Sequence, residues 1–352
     1  MAGATMYTPE TTWTRLFLSV AVVQGLVAAS LEAYVLIAVQ RCFAPPVVQV
    51  RAGHTVPMFF ALFIFGFVYQ LLLVYDALRS SNMIQAIGLC LYNLCLLIYA
   101  IFQPVDIKAS LDSLAGSRTG DNQPLLTPGT DAWGDSKPAL IAVAIVVALA
   151  TSLLCFAAHK LRSEFAWFVY KVTNADLPMK RRVLILQVVI INQAYVALLK
   201  FDVFFLLGFL VQNAVNASAN MGDPEFGLSI AVLPVVCLVV WLAVACALRE
   251  NKVGTLAVIL GYLAAAAFLS WKLATLPRRI SMLVAFAAIT LVMTLCTIVM
   301  AVLCLANFGK GVMKFTQSQH RQAGHGYDSH YLQETDYASL SSGYAPRRLS
   351  LD

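Results

Sequence analysis

The chain contains 352 residues, of which 60% are hydrophobic and only 12% are charged, and its mean hydropathy is +0.77. A soluble domain usually carries about twice that charged fraction, so the composition excludes an ordinary soluble globular protein. Apolar runs long enough to cross about 30 Å of hydrocarbon recur along the chain, without the alternation that β-barrel strands show. These features predict an all-α fold, a polytopic transmembrane helical bundle.

Eight apolar segments are candidate membrane spans, and seven is the alternative count. Each segment is continuously apolar or is interrupted only by isolated polar residues. The fifth is unusually long, but no glycine, proline or asparagine turn lies at its centre, so we interpret it as one tilted or protruding helix. The predicted spans are 16–40, 56–75, 83–102, 139–158, 183–212, 227–248, 253–275 and 280–306.

The basic residues predict an orientation, because lysine and arginine in short loops stay on the cytosolic side. Segment 159–182 carries six of them, whereas segment 213–226 carries none. The second segment also contains Asn216-Ala217-Ser218, a glycosylation sequon that is used only in the lumen. Alternation of the spans then places both termini in the cytosol, although Arg278 and Arg279 fall on the lumenal side and count against this orientation.

Polar segments flank and interrupt the predicted transmembrane domain, 16–308. Residues 1–15 form a cytosolic N-terminus, and the polar, Ser/Tyr-rich residues 309–352 are predicted to be a disordered cytosolic tail. The lumenal loop 103–138 is rich in Gly, Ser, Asp and Pro, which predicts a flexible linker. The cytosolic loop 159–182 contains apolar residues at helical spacing, which predicts an interfacial helix or an extension of span four.

The tail contains two short motifs that suggest partners. Arg347-Arg348-Leu349-Ser350 has the form of a basophilic kinase site, which makes Ser350 a candidate for phosphorylation. Tyr337-Ala338-Ser339-Leu340 has the form of a cytosolic sorting signal, and chance occurrence is the alternative for both motifs. Beyond the lipid bilayer, the predicted partners are therefore sorting adaptors or a kinase.

Three ionisable residues fall inside predicted spans: Glu32 in the first, and Lys200 and Asp202 in the fifth. Ionisable groups at membrane depth are costly and usually face the protein interior. Residues two apart on a helix point about 200° apart, so Lys200 and Asp202 need different partners. We predict that Lys200 pairs with Glu32, and that Asp202 contacts Tyr195 or a residue of another span.

Two interpretations of these charges are open. Counted at about 1.5 Å per residue from Val183, Lys200 lies about 25 Å along span five, which predicts a position nearer the lumenal side than the midplane. In the first interpretation Lys200 snorkels to the membrane edge or forms a structural ion pair. In the second, Glu32, Lys200 and Asp202 form a polar site for a substrate, an ion or a lipid.

No enzyme signature is found in the sequence. No histidine lies within a predicted span, and neither a G-x-S-x-G elbow nor a P-loop is present. We therefore predict no enzymatic activity, no metal site and no cofactor. The net charge of +6 is carried by the predicted cytosolic loops and tail, which indicates attraction to the membrane surface and not binding to nucleic acid.

The stretch EFAWFVYKVTNADLPMKRR, followed by LLKFDVFFLLGFLVQ, resembles a fungal family of uncharacterised multi-pass Golgi apparatus membrane proteins. The sequence departs from the family pattern at Val203 and at Thr173-Asn174. The resemblance implies residence in the Golgi membrane and a fungal-type protein, and it implies no activity. The matching residues are Glu164, Phe165, Trp167, Tyr170, Lys171, Ala175, Asp176, Arg181, Arg182, Leu199, Lys200, Phe201, Asp202, Phe204, Phe205, Gly208, Phe209 and Gln212.

Two functions from different classes agree with these observations. The first is a structural, trafficking or adaptor role in the Golgi membrane, which the tail motifs favour. The second is a transporter or lipid-handling protein that uses Glu32, Lys200 and Asp202 around a cavity. The second is weakened because transporters often show internal repeats and broken helices, and neither is evident here.

Overall fold

The computed structural model describes residues 11–42, 51–115, 131–172, 179–217, 224–275 and 281–308. The elements within these ranges are α-helices, and all eight are long and apolar enough to cross a membrane, which confirms the predicted fold. The helices are α1 (Thr12–Arg41), α2 (Arg51–Arg79), α3 (Met83–Ala115), α4 (Ala132–Val172), α5 (Met179–Ala217), α6 (Pro224–Leu248), α7 (Lys252–Thr275) and α8 (Ser281–Asn307).

Two tight turns of the same design join α2 to α3 and α6 to α7. In each, a non-glycine residue with positive φ ends the first helix: Ser81 at 47° and Glu250 at 50°. The next residue, Asn82 or Asn251, then caps the following helix by accepting a backbone hydrogen bond with its side-chain oxygen. These turns keep the backbone groups at the helix ends satisfied. No such turn interrupts α5, which confirms that span five is one helix.

Several helices extend beyond their predicted limits. The predicted loop 103–138 is shorter than expected, because α3 continues to Ala115 and α4 already begins at Ala132. The physical reason is that Gln103 and Asp106 are buried against other helices and hold this part of α3 in the bundle. At its other end α4 continues to Val172, so the first part of the predicted loop 159–182 is an extension of span four.

Helix α5 joins two groups of helices. On one side α1 packs against α4 and α2, and α3 packs against α2 and α4. On the other side α7 packs against α6 and α8. Helix α5 contacts α2 and α3 of the first group and α6 and α8 of the second. The charged residues of α5 therefore lie where the two groups meet.

Candidate functional site

Lys200 is held by side chains of two neighbouring helices. Its Nζ donates to Asp76 Oδ2 on α2 at 2.5 Å and to Gln85 Oε1 on α3 at 3.2 Å. The Gln85 amide nitrogen in turn donates to the same Asp76 oxygen at 2.7 Å. The three side chains form a closed polar cluster, which we call the Lys200 cluster. The predicted pairing of Lys200 with Glu32 is wrong, because Asp76 supplies the carboxylate.

The Lys200 cluster lies near one end of the α2–α3 hairpin. Asp76 is three residues from the end of α2, and Gln85 is the third residue of α3. The side chains of Lys200 and Asp76 are 30% and 45% exposed, respectively. The expected position of Lys200 nearer the lumenal side stays a prediction.

Glu32 has a partner of its own. Its side chain on α1 is fully buried, and its Oε2 accepts a hydrogen bond from Gln103 Nε2 on α3 at 2.8 Å. The second carboxyl oxygen, Oε1, has no hydrogen-bond partner within the part of the chain that is described. A neutral amide at this position stabilises a buried carboxyl without supplying a counter-charge. Glu32 and Lys200 therefore belong to separate contacts.

Asp202 lies on a different side of α5 from Lys200. It is fully buried. The hydroxyls of Thr297 on α8 and Tyr262 on α7 lie beside this carboxyl as its side-chain hydrogen-bonding neighbours. Tyr195, the predicted partner, is also a neighbour of Asp202 and does not bond to it. Tyr195 therefore lies near Asp202, as predicted, but no hydrogen bond joins them.

The aromatic residues around the two charges are packing residues. The Phe204 ring meets Tyr92 with centroids 5.1 Å apart, and the Phe205 ring meets Phe286 at 5.6 Å. Gly208 is required by close approach, since a Cβ atom there would lie 2.7 Å from the Phe286 ring. These residues of the pattern therefore pack α5 against its neighbouring helices. Packing accounts for their presence, and no catalytic or binding role is needed to explain them.

Comparison with known proteins supports the resemblance found in the sequence. No protein-family model matches the chain, and no solved structure matches it. The chain is 29% identical over 287 residues to the UPF0658 Golgi apparatus membrane protein of Schizosaccharomyces pombe, covering 74% of this chain and 78% of the relative. The family resemblance is confirmed. The similarity extends far beyond residues 164–212, which carried the prediction.

The other predicted positions are distributed along the chain. Four residues of the pattern shared with the Golgi family, Glu164, Trp167, Tyr170 and Lys171, belong to the C-terminal part of α4, and their side chains lie outside the described part of the structure. Asn216 of the predicted glycosylation sequon lies in the last turn of α5. Two further positions, Asp176 and Ser350, lie outside the described residues.

Three further polar contacts between helices were not predicted. Gln24 Nε2 on α1 donates to Asn93 Oδ1 on α3 at 2.6 Å, and Asn93 Nδ2 donates to Thr151 Oγ1 on α4 at 2.8 Å. Asp106 Oδ2 on α3 accepts from the backbone N–H of Met282 at the start of α8, at 2.7 Å. Hydrogen bonds of this kind hold transmembrane helices together. For Gln24 and Asn93, the signal available in the sequence was the isolated amide within each apolar run.

Proposed function

We propose that this chain is a multi-pass protein of the Golgi membrane with a structural or trafficking role. Its similarity to a Golgi apparatus membrane protein across 74% of the chain carries the proposal. The polar side chains support a structural role, because Lys200, Asn93 and Glu32 each bond to another helix and so serve to hold the bundle together. We place both termini in the cytosol, on the distribution of basic residues described above.

The trafficking part of the proposal depends on the tail, residues 309–352. A cytosolic tail would present the Tyr337-Ala338-Ser339-Leu340 motif to sorting adaptors and Ser350 to a basophilic kinase. In this role the protein needs no catalytic residues and no cofactor. Its partners are the lipid bilayer and these cytosolic proteins.

Removing residues 309–352 is expected to move an N-terminally tagged protein out of the Golgi membrane. The single change Tyr337→Ala should reproduce most of that shift, because the tyrosine is the defining residue of the motif. The measurement is the fraction of tagged protein that co-localises with a Golgi marker. Tyr344→Ala is the matched control, since it removes a nearby tail tyrosine outside the motif. Unchanged location and unchanged captured partners after the deletion would contradict the trafficking role.

A transporter or lipid-handling function is the second candidate, and the fully buried carboxyl of Asp202 favours it. Charged groups inside membrane proteins are often parts of substrate or ion pathways. Glu32 and Lys200 are each bonded to a residue of another helix.

This second function predicts that Asp202→Asn behaves like a loss of the whole protein. We expect strains carrying the variant to keep normal abundance and Golgi location, yet to show the altered glycan or lipid profile of a deletion strain. The change keeps the size and shape of the side chain and removes its charge. A variant that reaches the Golgi and leaves the profile at its normal composition would argue against a transport or lipid-handling role for this residue.

A further inference from the structure

Two cysteine thiols from neighbouring helices lie side by side in the first helix group. Cys90 on α3 and Cys155 on α4 are both free thiols, and their side chains are hydrogen-bonding neighbours. Two thiols in such contact can act as one chemical unit, which a single cysteine cannot do. We call these two residues the Cys90–Cys155 pair.

The packing of α3 against α4 explains why the two thiols meet. Asn93 Nδ2 donates to Thr151 Oγ1 at 2.8 Å, which sets the level at which the two helices face each other. Near the other end of α3, Lys108 Nζ lies 5.7 Å from the centroid of the Trp133 ring, so the two helices run antiparallel. The two cysteines come three residues before Asn93 and four residues after Thr151. In antiparallel helices both steps are about one turn in the same direction, along the facing sides.

The two thiols differ in exposure. Cys155 is exposed on the outer surface of the bundle, where Leu153 and Phe156 of the same helix are exposed as well. In a transmembrane bundle an exposed apolar surface of this kind faces lipid. Cys90 is half-buried, and its Sγ donates to the backbone oxygen of Ala86 at 3.5 Å. Cys155 is therefore the thiol that a reagent dissolved in the membrane meets first.

The surroundings of Cys155 suit a reactive thiol. His159 follows it by one helical turn on the same face, and Lys160 is the next residue. Both are exposed at the polar end of predicted span four. Reactive cysteines are partly exposed and lie near basic or positively charged groups, because the thiol must lose its proton to react. The imidazole of His159 is a base that can take up this proton.

The chemistry of the Cys90–Cys155 pair favours oxidation over metal binding. Among the described residues, no group of three His, Cys, Asp or Glu side chains could hold a metal ion. A metal held by the two sulfurs alone would require deprotonated thiols, and a net charge is costly in an apolar setting. A disulfide carries no charge, so it is compatible with lipid and apolar side chains around it.

We propose that Cys155 and Cys90 form a redox-active dithiol that lipid hydroperoxides oxidise to a disulfide between α4 and α3. In the first step the Cys155 sulfur attacks the terminal peroxide oxygen and the O–O bond breaks. The products are a sulfenic acid and a lipid alcohol, which takes the thiol proton. In the second step the Cys90 sulfur displaces the sulfenic hydroxyl, the S–S bond forms, and water leaves with the Cys90 proton. The two thiols lose two electrons and the peroxide gains them.

This site goes beyond a structural or trafficking role and does not depend on it. A disulfide brings the two sulfur atoms to about 2.0 Å, so oxidation ties α3 to α4 beside the bond between Asn93 and Thr151. Exchange with a small thiol breaks the S–S bond and returns both protein thiols. The first helix group thus has a reduced form and a cross-linked form.

Thiol counting on the full-length protein in lipid vesicles tests the site. The reduced protein is treated with cumene hydroperoxide, which dissolves in the bilayer, and its free thiols are then labelled in denaturant with a PEG-maleimide. The chain has eight cysteines, and the expected result is the loss of two of the eight labels. Dithiothreitol should restore both labels. Peptide mass spectrometry should place the cross-link between Cys90 and Cys155.

Serine variants assign the two steps. Cys90→Ser and Cys155→Ser should each abolish the cross-link, and in Cys90→Ser the sulfenic acid on Cys155 should persist and react with dimedone. The matched controls are Cys95→Ser, which removes another half-buried cysteine of α3, and Cys296→Ser, which removes another exposed cysteine. Both controls should still lose two labels on oxidation.

The proposal is overturned if all eight thiols remain at a peroxide dose that fully oxidises added glutathione. A cross-link mapped to a different pair of cysteines, or between two chains, also overturns it. The mapping uses the wild-type protein, so the test stands even if a serine variant does not fold. Hydrogen peroxide at the same concentration should act more slowly than cumene hydroperoxide, and the opposite order would contradict oxidation from the lipid side.

Discussion

Replacing Phe204 by alanine is expected to destabilise the folded bundle by about 3–5 kcal/mol, the range found when a large aromatic side chain is removed from a packed core. The Phe204 ring touches rings from three other helices, with centroids 5.1 Å from Tyr92, 5.8 Å from Phe286 and 6.1 Å from Tyr69. The ring is almost completely buried, so lipid chains cannot fill the space that alanine leaves. The lost contacts are therefore not replaced.

The measurement is the denaturant or thermal midpoint of the purified protein, together with its abundance in cells. Phe102→Ala is the matched control, because Phe102 on α3 is 37% exposed on the outside of the bundle, where lipid can replace the lost contacts. We expect the control to change the midpoint much less. Equal losses in the two variants would show that α5 does not pack against α2, α3 and α8 as the structure has it.

The number of spans could be predicted from sequence because it depends on local composition. An apolar run near 20 residues must form a helix in hydrocarbon, whatever surrounds it, since no water is present to satisfy the backbone. The exact limits could not be predicted in this way. The α3 residues 103–115 are polar enough to resemble a loop, and they are helical because Gln103 and Asp106 bond to other helices.

The partner of Lys200 was missed for a specific reason. Asp76 lies one residue beyond the predicted limit of the second span, 56–75, and so falls outside the predicted spans. Its true helix continues to Arg79. Glu32 is the only carboxylate in any other predicted span. Because the predicted end of the second span excluded Asp76, the predicted ion pair joined Lys200 to Glu32 instead.

The environment of Asp202 could be predicted only in part. Tyr195 is seven residues earlier on the same helix, so its proximity follows from helical spacing. Tyr262 and Thr297 come from α7 and α8, and nothing in the sequence sets which faces of those helices meet α5. The same limit applies to Asn93, whose two partners lie on α1 and α4. Helix pairing depends on the packing of the whole bundle and is not encoded in any one segment.

The two charges of the Lys200-Phe201-Asp202 stretch therefore serve different groups of helices. Lys200 bonds to α2 and α3 near the end of their hairpin, whereas Asp202 faces α7 and α8 in the interior. Phe201, between them, packs against Tyr92 of α3 with centroids 5.9 Å apart. One turn of α5 thus contacts both helix groups. A substitution of Lys200 should affect its packing against α2 and α3, and a substitution of Asp202 its packing against α7 and α8.

Lys200→Met and Asp76→Asn are expected to be coupled in a double-mutant cycle. Each single change should lower stability, and the double variant should lose less than the sum, because the first change already removes the shared contact. The pair is 30% and 45% exposed, so we expect a coupling of about 0.5–1.5 kcal/mol, between the values for exposed ion pairs and for polar contacts between transmembrane helices. Lys200→Met should be the more harmful single change, because Asp76→Asn still leaves Lys200 bonded to Gln85.

The control cycle combines Lys200→Met with Glu32→Gln. These effects should add to within about 0.5 kcal/mol, because Glu32 bonds to Gln103 and shares no partner with Lys200. Both cycles are measured as unfolding midpoints in the same detergent and salt. Coupling of Lys200 to Glu32 and not to Asp76 would restore the pairing expected from the sequence and contradict the contact between α2 and α5. Coupling to Asp76 alone makes Lys200 a residue that holds helices together.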